Sequence, residues 1–150
     1  MKNMYIFEET TKNDCFILDS WNKHENIKEW IGIEDWFEYL EYTNSNPDYF
    51  VINALYHNDI ISSICMEIIE EIGYISIMVN PEEHSKGHGK KILSLFLQKM
   101  SQIVNRKIKY IQAGIDPENV VSKRCFESVG FEFDKNGEDG EMIYLYEIKE

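Results

Sequence analysis

The segment that decides the fold of this chain is Val79-Asn80-Pro81-Glu82-Glu83-His84-Ser85-Lys86-Gly87-His88-Gly89-Lys90. Before it lies the run IGYISIMV, which is rich in β-favouring residues and predicts a strand. After it, apolar residues recur with the 3.6-residue period of an amphipathic helix, at Ile92, Leu93, Phe96, Leu97, Met100, Ile103 and Val104. The segment therefore joins a strand directly to the start of a helix, where unpaired backbone N–H groups can bind an anion.

Two glycines suit this segment to a phosphate ligand. Gly87 and Gly89 lack a Cβ, so the backbone can approach phosphate oxygens closely, and Lys86 and Lys90 add positive charge. The segment is not a P-loop, because GxxxxGK[ST] is absent, and it lacks the third glycine of a dinucleotide fingerprint. A tight strand-to-helix turn without a ligand explains the same glycines, and another phosphate ligand such as a nucleotide also stays open.

The sequence before the segment predicts one strand, two helices and an antiparallel meander. Apolar and polar residues alternate over Asn3–Glu8, which indicates a strand, and apolar residues between 13 and 40 recur at helical spacing with a break near Gly32. The runs YFVINALYH, IISSICMEII and IGYISIMV follow, with turns predicted at Asn58-Asp59 and Glu70–Gly73.

The sequence after the amphipathic helix predicts a strand, a short helix and a hairpin. Lys109–Ile115 favours a strand, and Asn119–Val129 favours a helix that ends at Gly130, because glycine accepts the positive φ of a helix terminus. Phe131–Asp134 and Met142–Ile148 then form the hairpin, across the turn-rich stretch KNGEDGE.

Composition and charge narrow the class of protein. With 150 residues, 43% of them hydrophobic, the chain can bury one core, so we expect a single domain over residues 1–150. It has neither a run of ~18 apolar residues nor the apolar core of a signal peptide, which predicts a cytoplasmic protein outside the membrane. Three widely spaced cysteines fit reduced thiols. A net charge of −12 disfavours nucleic acid, and it would either concentrate a cationic substrate or only keep the protein soluble.

Two stretches of the chain resemble motifs of one enzyme family. VNPEEHSKGHGKKIL resembles the coenzyme A signature of the GNAT superfamily of N-acetyltransferases, V-x-P-x-x-[RQ]-x-x-G-x-[GA], at the end of the fourth strand and the start of the third helix. Asn119–Phe131 resembles the family segment N-x-x-[AS]-x-x-x-[YF]-E-x-x-G-F. The motifs occur in the family's order and on the predicted element types. The resemblance covers about Tyr49 to Ile148.

The resemblance implies a fold and a cofactor. The fold is α+β, with a mixed, mostly antiparallel central sheet flanked by helices and with splayed fourth and fifth strands. The pantetheine arm of acetyl-coenzyme A would pair with the fourth strand like an added strand, its pyrophosphate would bind the loop amides, and Phe126 would lie near the sulfur. The implied cofactor-binding residues are Ile77, Met78, Val79, His84, Ser85, Lys86, Gly87, His88, Gly89, Lys90, Asn119 and Phe126.

Two positions depart from the family pattern. His84 stands where the family usually has arginine or glutamine, and Phe126 stands where many members have a tyrosine that protonates the departing thiolate. A phenyl ring cannot donate a proton, so the acid role is vacant or is filled from elsewhere, with Tyr146 or Tyr144 on the last strand as candidates. His84 and His88 are four residues apart, a spacing that suits two ligands of a metal ion. No third ligand is evident, so we expect no metal site.

The general base has two carboxylate candidates. An aliphatic ammonium has a pKa of about 10.4 and must be deprotonated before it attacks. Glu71 just before the fourth strand and Asp116 just after the fifth are the candidates, and a chain of water molecules is the alternative.

The resulting hypothesis is an enzyme that transfers the acetyl group of acetyl-coenzyme A to a primary amine by direct attack in a ternary complex. The acceptor can be a polyamine-like molecule, an antibiotic amine or a protein N-terminus. The alternative is a catalytically weak or silent acyl-coenzyme A-binding module of the same fold. A homodimer is left open as a further partner.

Overall fold

The structure is a computed structural model that describes residues 5–23, 33–84 and 86–149. Within these residues the chain forms seven strands: β1 Tyr5–Glu9, β2 Tyr49–Tyr56, β3 Asp59–Ile69, β4 Ile72–Val79, β5 Tyr110–Ile115, β6 Glu132–Asn136 and β7 Met142–Glu147. The α-helices there are α1 Cys15–Trp21, α2 Trp36–Asn44, α3 His88–Ile103 and α4 Val120–Ser128. Short 3-10 turns occupy Lys12–Asp14 and Pro81–Glu83.

The strands form one sheet in the order β1-β2-β3-β4-β5-β7-β6. β1 pairs antiparallel with β2, and β7 pairs antiparallel with both β5 and β6, whereas β4 and β5 run parallel. The expectation of an α+β fold with a mixed, mostly antiparallel sheet is confirmed.

The parallel pairing of β4 with β5 is short. It runs from Ile72 opposite Tyr110 to Tyr74 opposite Gln112, although β4 continues to Val79 and β5 to Ile115. The predicted splaying of the fourth and fifth strands is confirmed. Glycine suits position 73, in the part of β4 that pairs with β5, because a Cβ there would lie only 2.7 Å from the sulfur of Met66, closer than a side chain tolerates.

The described chain divides into two compact units, Met1–Cys65 with Ile77–His88 and Met66–Ser76 with Gly89–Glu150. The first unit has an apolar cluster formed by Cys15, Leu18, Trp21, Trp36, Leu40, Val51, Cys65 and Met78. In the second unit the buried face of α3 carries Ile92, Leu93, Phe96 and Met100. That residues 1–150 form one domain therefore stays a prediction.

Most elements lie within two residues of their predicted bounds, and two turns are corrected. The first strand begins at Tyr5, and the part of its prediction before residue 5 lies outside the described residues, as does the helix break near Gly32. The β2–β3 turn is centred on His57-Asn58, where φ is 52° and 69°, one residue earlier than predicted. The next turn is Glu70-Glu71, and Gly73 lies within β4.

The helices match their predicted character. α3 presents the expected apolar face, and α4 ends just before Gly130, whose φ of 110° explains why glycine follows this helix. None of the described helices is both long and apolar enough to cross a membrane. Cys15, Cys65 and Cys125 are free thiols.

Candidate functional site

The loop after β4 is held in place by backbone and side-chain hydrogen bonds. The Asn80 N–H donates to the Ile61 carbonyl at 2.7 Å, which continues the contact with β3 beyond the end of β4. The Asn80 side chain accepts from the Glu82 N–H at 3.0 Å, and Pro81 begins the 3-10 turn. Because proline lacks an N–H and has a fixed φ, it suits the first position of such a turn.

His84, the first departure from the family pattern, makes a contact within the protein. Its Nε2 lies 3.0 Å from the carbonyl oxygen of Val79, the last residue of β4. A carbonyl only accepts, so Nε2 carries the proton of this bond. The imidazole therefore ties the loop to the end of the strand, and this nitrogen is not directed to a phosphate.

The glycine turn leads into the amino end of α3. Gly87 has a φ of +81°, and a Cβ built on it would have no atom within 4 Å, so the space beside this backbone is open. α3 begins at His88, and Gly89 and Lys90 complete its first turn. The N–H groups of a first helical turn have no partner within the helix, so the loop presents several donors to one place. Ser85, also predicted here, lies outside the described residues.

The Glu83 carboxylate lies close to a lysine and a histidine of this loop. Glu83 Oε2 is 2.8 Å from Lys86 Nζ and 3.6 Å from His88 Nε2. The hydrogen bond from Lys86 is the main reason that the pKa of Glu83 is lowered. Sequence reasoning did not assign Glu83, because the i, i+3 ion pair is visible only once the turn is known.

Two tyrosines hold His88 from the first two strands. The Tyr5 hydroxyl lies 2.6 Å from His88 Nδ1, and the Tyr56 ring meets the imidazole edge-on at 5.2 Å between centroids. Tyr5 and Tyr56 are directly opposite in the β1–β2 ladder. Burial is the main reason that the pKa of Tyr5 is raised. The sequence carried no signal for this contact, which depends on the pairing of distant strands.

In the second unit, the predicted residues of α4 have structural contacts. The Asn119 side-chain oxygen accepts from the Ser122 N–H at 3.2 Å and so caps the helix. Phe126 is 3% exposed, and its ring packs edge-on against Phe131 at 4.9 Å. Phe131 in turn packs against Tyr146 at 5.3 Å.

Tyr144, the other acid candidate, is engaged with a carboxylate. Its hydroxyl donates to Glu127 Oε2 at 3.1 Å, and the residue is 1% exposed. Burial, followed by this contact with Glu127, raises the pKa of Tyr144.

The structure does not bring the two candidate bases together. Glu71 precedes β4 and is ion-paired with Lys109 at 3.2 Å, while its backbone carbonyl accepts from the Lys109 N–H. Glu71 and Lys109 thus lie at the start of β5, whereas Asp116 follows its end. The six residues of β5 place the two ends about 20 Å apart. Ile77 lies six positions after Glu71, again about 20 Å along the strand. Asp116 uses one oxygen to accept from the Glu118 N–H at 2.9 Å.

A cleft of about 710 Å³ lies beside α1 and α2 in the first unit. Three of the six described residues that line it are acidic, Asp19, Glu34 and Asp35, and the other three are Asn22, Lys23 and Phe37. The sequence analysis did not identify this cleft. In the part of the chain that the structure describes, no three His, Cys, Asp or Glu side chains are grouped so that they could hold a metal ion.

Known proteins resemble this chain in sequence and in fold. The profile of the Acetyltransferase (GNAT) family matches residues 11–131. The uncharacterized N-acetyltransferase YfmK of Bacillus subtilis (strain 168) is 25% identical over 97% of this chain and 98% of its own.

Two solved structures share the fold at low sequence identity. The aminoglycoside acetyltransferase AAC(6')-Ib in complex with coenzyme A superposes with a TM-score of 0.81 at 18% identity, over 95% of this chain and 94% of that one. A chimera of spermidine N-acetyltransferase SpeG from Vibrio cholerae and hSSAT gives 0.80 at 17% identity, over 97% and 96%. The family profile covers most of the chain, and the fold agrees with it. The chain belongs to the GNAT family of acetyltransferases.

Proposed function

We propose that this protein transfers the acetyl group of acetyl-coenzyme A to a primary amine by direct attack in a ternary complex. The observation that carries the proposal is the loop in which Gly87, with its positive φ and open flank, leads into the amino end of α3. This is the segment that matches the family's coenzyme A signature. Backbone N–H groups at such a turn suit a pyrophosphate better than a neutral ligand.

The cofactor would be held mainly by the backbone. The loop amides around Gly87 and Gly89 would bind the pyrophosphate, with charge from Lys86 and Lys90. The edge of β4 at Ile77 and Val79 would bind the pantetheine arm, and the family resemblance assigns Asn119 and Phe126 of α4 to the same arm. A strand N–H that donates to the thioester carbonyl stabilises the developing oxyanion, an effect worth about 3–4 kcal/mol per donor.

We choose the general base and the general acid by where the structure places the candidate residues. We favour another base over Glu71, because Glu71 lies about 20 Å along the strand from Ile77 and is ion-paired with Lys109. Asp116 or a chain of water molecules would take the proton of the ammonium. Tyr146 is the better acid candidate, because Tyr144 already donates its proton to Glu127.

The acceptor that we propose is a small polycationic amine. Among the described residues, the cleft beside α1 and α2 carries the carboxylates of Asp19, Glu34 and Asp35 and one lysine, Lys23, and the chain as a whole has a net charge of −12. Such a surface attracts cations and raises their local concentration. Spermidine and the aminoglycosides, named as substrates of the structural relatives, are amines of this kind.

The test is release of free thiol from acetyl-coenzyme A with a panel of polyamines, aminoglycosides and peptides with free N-termini. We expect turnover with a polyamine or an aminoglycoside, and a kcat/KM that falls as salt rises while kcat changes little. Calorimetric titration with coenzyme A, ATP and NAD is the companion measurement.

Binding of coenzyme A without turnover of any amine would favour the silent binding module, and preference for ATP or NAD would contradict both readings. A cytoplasmic location and a homodimer remain predictions.

A further inference from the structure

Two consecutive serines are completely buried in the middle of the sheet. Ser62 and Ser63 lie on β3 and both have 0% exposure. The Ser62 hydroxyl donates to the carbonyl oxygen of Met78 on β4 at 2.8 Å. The Ser63 hydroxyl donates in the other direction, to the Ile52 carbonyl of β2 at 3.5 Å. A buried hydroxyl is favourable only when it is bonded, so each serine has a defined acceptor, and only Ser62 acts on β4.

The bond from Ser62 defines the direction of one peptide unit of β4. Asn80 donates its N–H to Ile61 of β3, and the Met78 carbonyl faces Ser62 on the same strand. Backbone groups of alternate residues point to the same edge of a strand, so those of Ile77 and Val79 face away from β3. The Met78–Val79 peptide is trans, and its N–H therefore points opposite to its carbonyl.

We propose that Ser62 is a positioning residue for the cofactor, which acts through the N–H of Val79. The Val79 carbonyl accepts from His84, so the N–H is the group of this residue that we assign to a carbonyl of the pantetheine arm. A hydrogen bond to the carbonyl of a peptide polarises that unit and makes its N–H a stronger donor. Ser62 thus both orients and strengthens the donor. The inference rests on the proposed function.

The experiment compares two ligands and a graded set of variants. Calorimetry measures the affinity of wild type, Ser62→Ala, Ser62→Cys, Ser62→Thr and Ser63→Ala for coenzyme A. It also measures affinity for 3′-phospho-ADP, which keeps the pyrophosphate and lacks the pantetheine arm. Ser62→Ala should bind coenzyme A about 3- to 10-fold more weakly and the fragment equally well. Ser62→Thr keeps the hydroxyl and should bind coenzyme A as tightly as wild type. Ser62→Cys has a weaker donor, so its affinity should lie between those of wild type and Ser62→Ala. Ser63→Ala should change neither affinity.

Each contrary outcome has a separate meaning. Equal losses for both ligands, or an equal loss in Ser63→Ala, would show that the serines matter only for packing and would overturn the inference. Wild-type affinity for coenzyme A in Ser62→Ala would also overturn it while leaving the proposed function intact. A wild-type protein that fails to bind coenzyme A would overturn the proposed function itself. If Ser62→Ala does not fold, Ser62→Cys decides in its place with Ser63→Cys as an added control, and equal affinities of these two variants for coenzyme A would overturn the inference.

Discussion

Lys86 Nζ lies 2.8 Å from Glu83 Oε2, and this contact closes the loop between β4 and α3. The same carboxylate oxygen lies 3.6 Å from His88 Nε2, at the first residue of α3. The loop thus carries a negative charge, on Glu83, next to Lys86 and the amino end of α3, the two features that favour binding of a phosphate.

Removal of this charge should strengthen binding of coenzyme A. In Glu83→Gln the repulsion between carboxylate and pyrophosphate is absent and Lys86 is released, so we expect an affinity about 2- to 5-fold higher at low salt. Glu82→Gln is the matched control, because it removes the same charge from the neighbouring, exposed residue. Calorimetry at two salt concentrations measures the effect. Weaker binding by Glu83→Gln would mean that the carboxylate is needed to keep the loop in shape.

Gly87 and Gly140 provide a matched pair of glycine substitutions. Both have positive φ, +81° and +86°, and a Cβ on either would have no atom within 4 Å. Each change to alanine should therefore destabilise the fold by about 1–2 kcal/mol through the backbone alone. Only Gly87→Ala should also weaken coenzyme A, by about tenfold or more, because its Cβ would enter the space that we assign to phosphate. Urea unfolding and calorimetry measure the two effects, and equal affinity in the two variants would place the pyrophosphate elsewhere.

Tyr144 should make the protein sensitive to alkali. Its pKa in the folded protein is raised above the ordinary value of 10.0, so folding favours the protonated phenol. That contribution is complete below pH 10 and is lost as the pH rises from 10.0 through the raised value. Between pH 9 and 11 the Tm of Tyr144→Phe should fall less than that of wild type. Tyr42→Phe, which removes a hydroxyl from a residue that is 55% exposed, should keep the wild-type slope.

Phe126→Tyr tests the vacant acid position. The Phe126 ring is 3% exposed and packs on Phe131, so an added hydroxyl needs a partner that the apolar surroundings do not provide. If the cofactor sulfur lies beside the ring, kcat should rise a fewfold at unchanged affinity for coenzyme A, because the new bond matters only as charge develops on sulfur. Steady-state rates on the best acceptor measure this. A slower variant with normal affinity would indicate that Tyr146 already supplies the proton.

Local patterns were sufficient to predict the elements of the fold. The strand, glycine turn and amphipathic helix around Gly87 are fixed by residues close in sequence, and so is the end of α4 at Gly130. Turn centres were less predictable. Glu70 adopts a φ of 58° without the glycine or asparagine that normally marks such a position. The sequence pattern therefore predicted a turn that extended to Gly73.

The site was less predictable where it depends on distant residues. Glu71 has the two-residue alternation that would share a face with Ile77, but alternation says nothing of distance along the strand. The contacts of Ser62, Tyr5 and Tyr56 depend on the pairing of strands whose register the sequence does not specify.

The bond between Tyr5 and His88 spans 83 positions of sequence and joins the first strand to the first residue of α3. In evolutionary terms, we expect the two positions to be linked. A relative that replaces His88 with a residue unable to share a proton leaves the tyrosine hydroxyl without this partner, which weakens the selection for tyrosine at position 5. The two positions should therefore change together across the family, even though neither lies in a motif with the other.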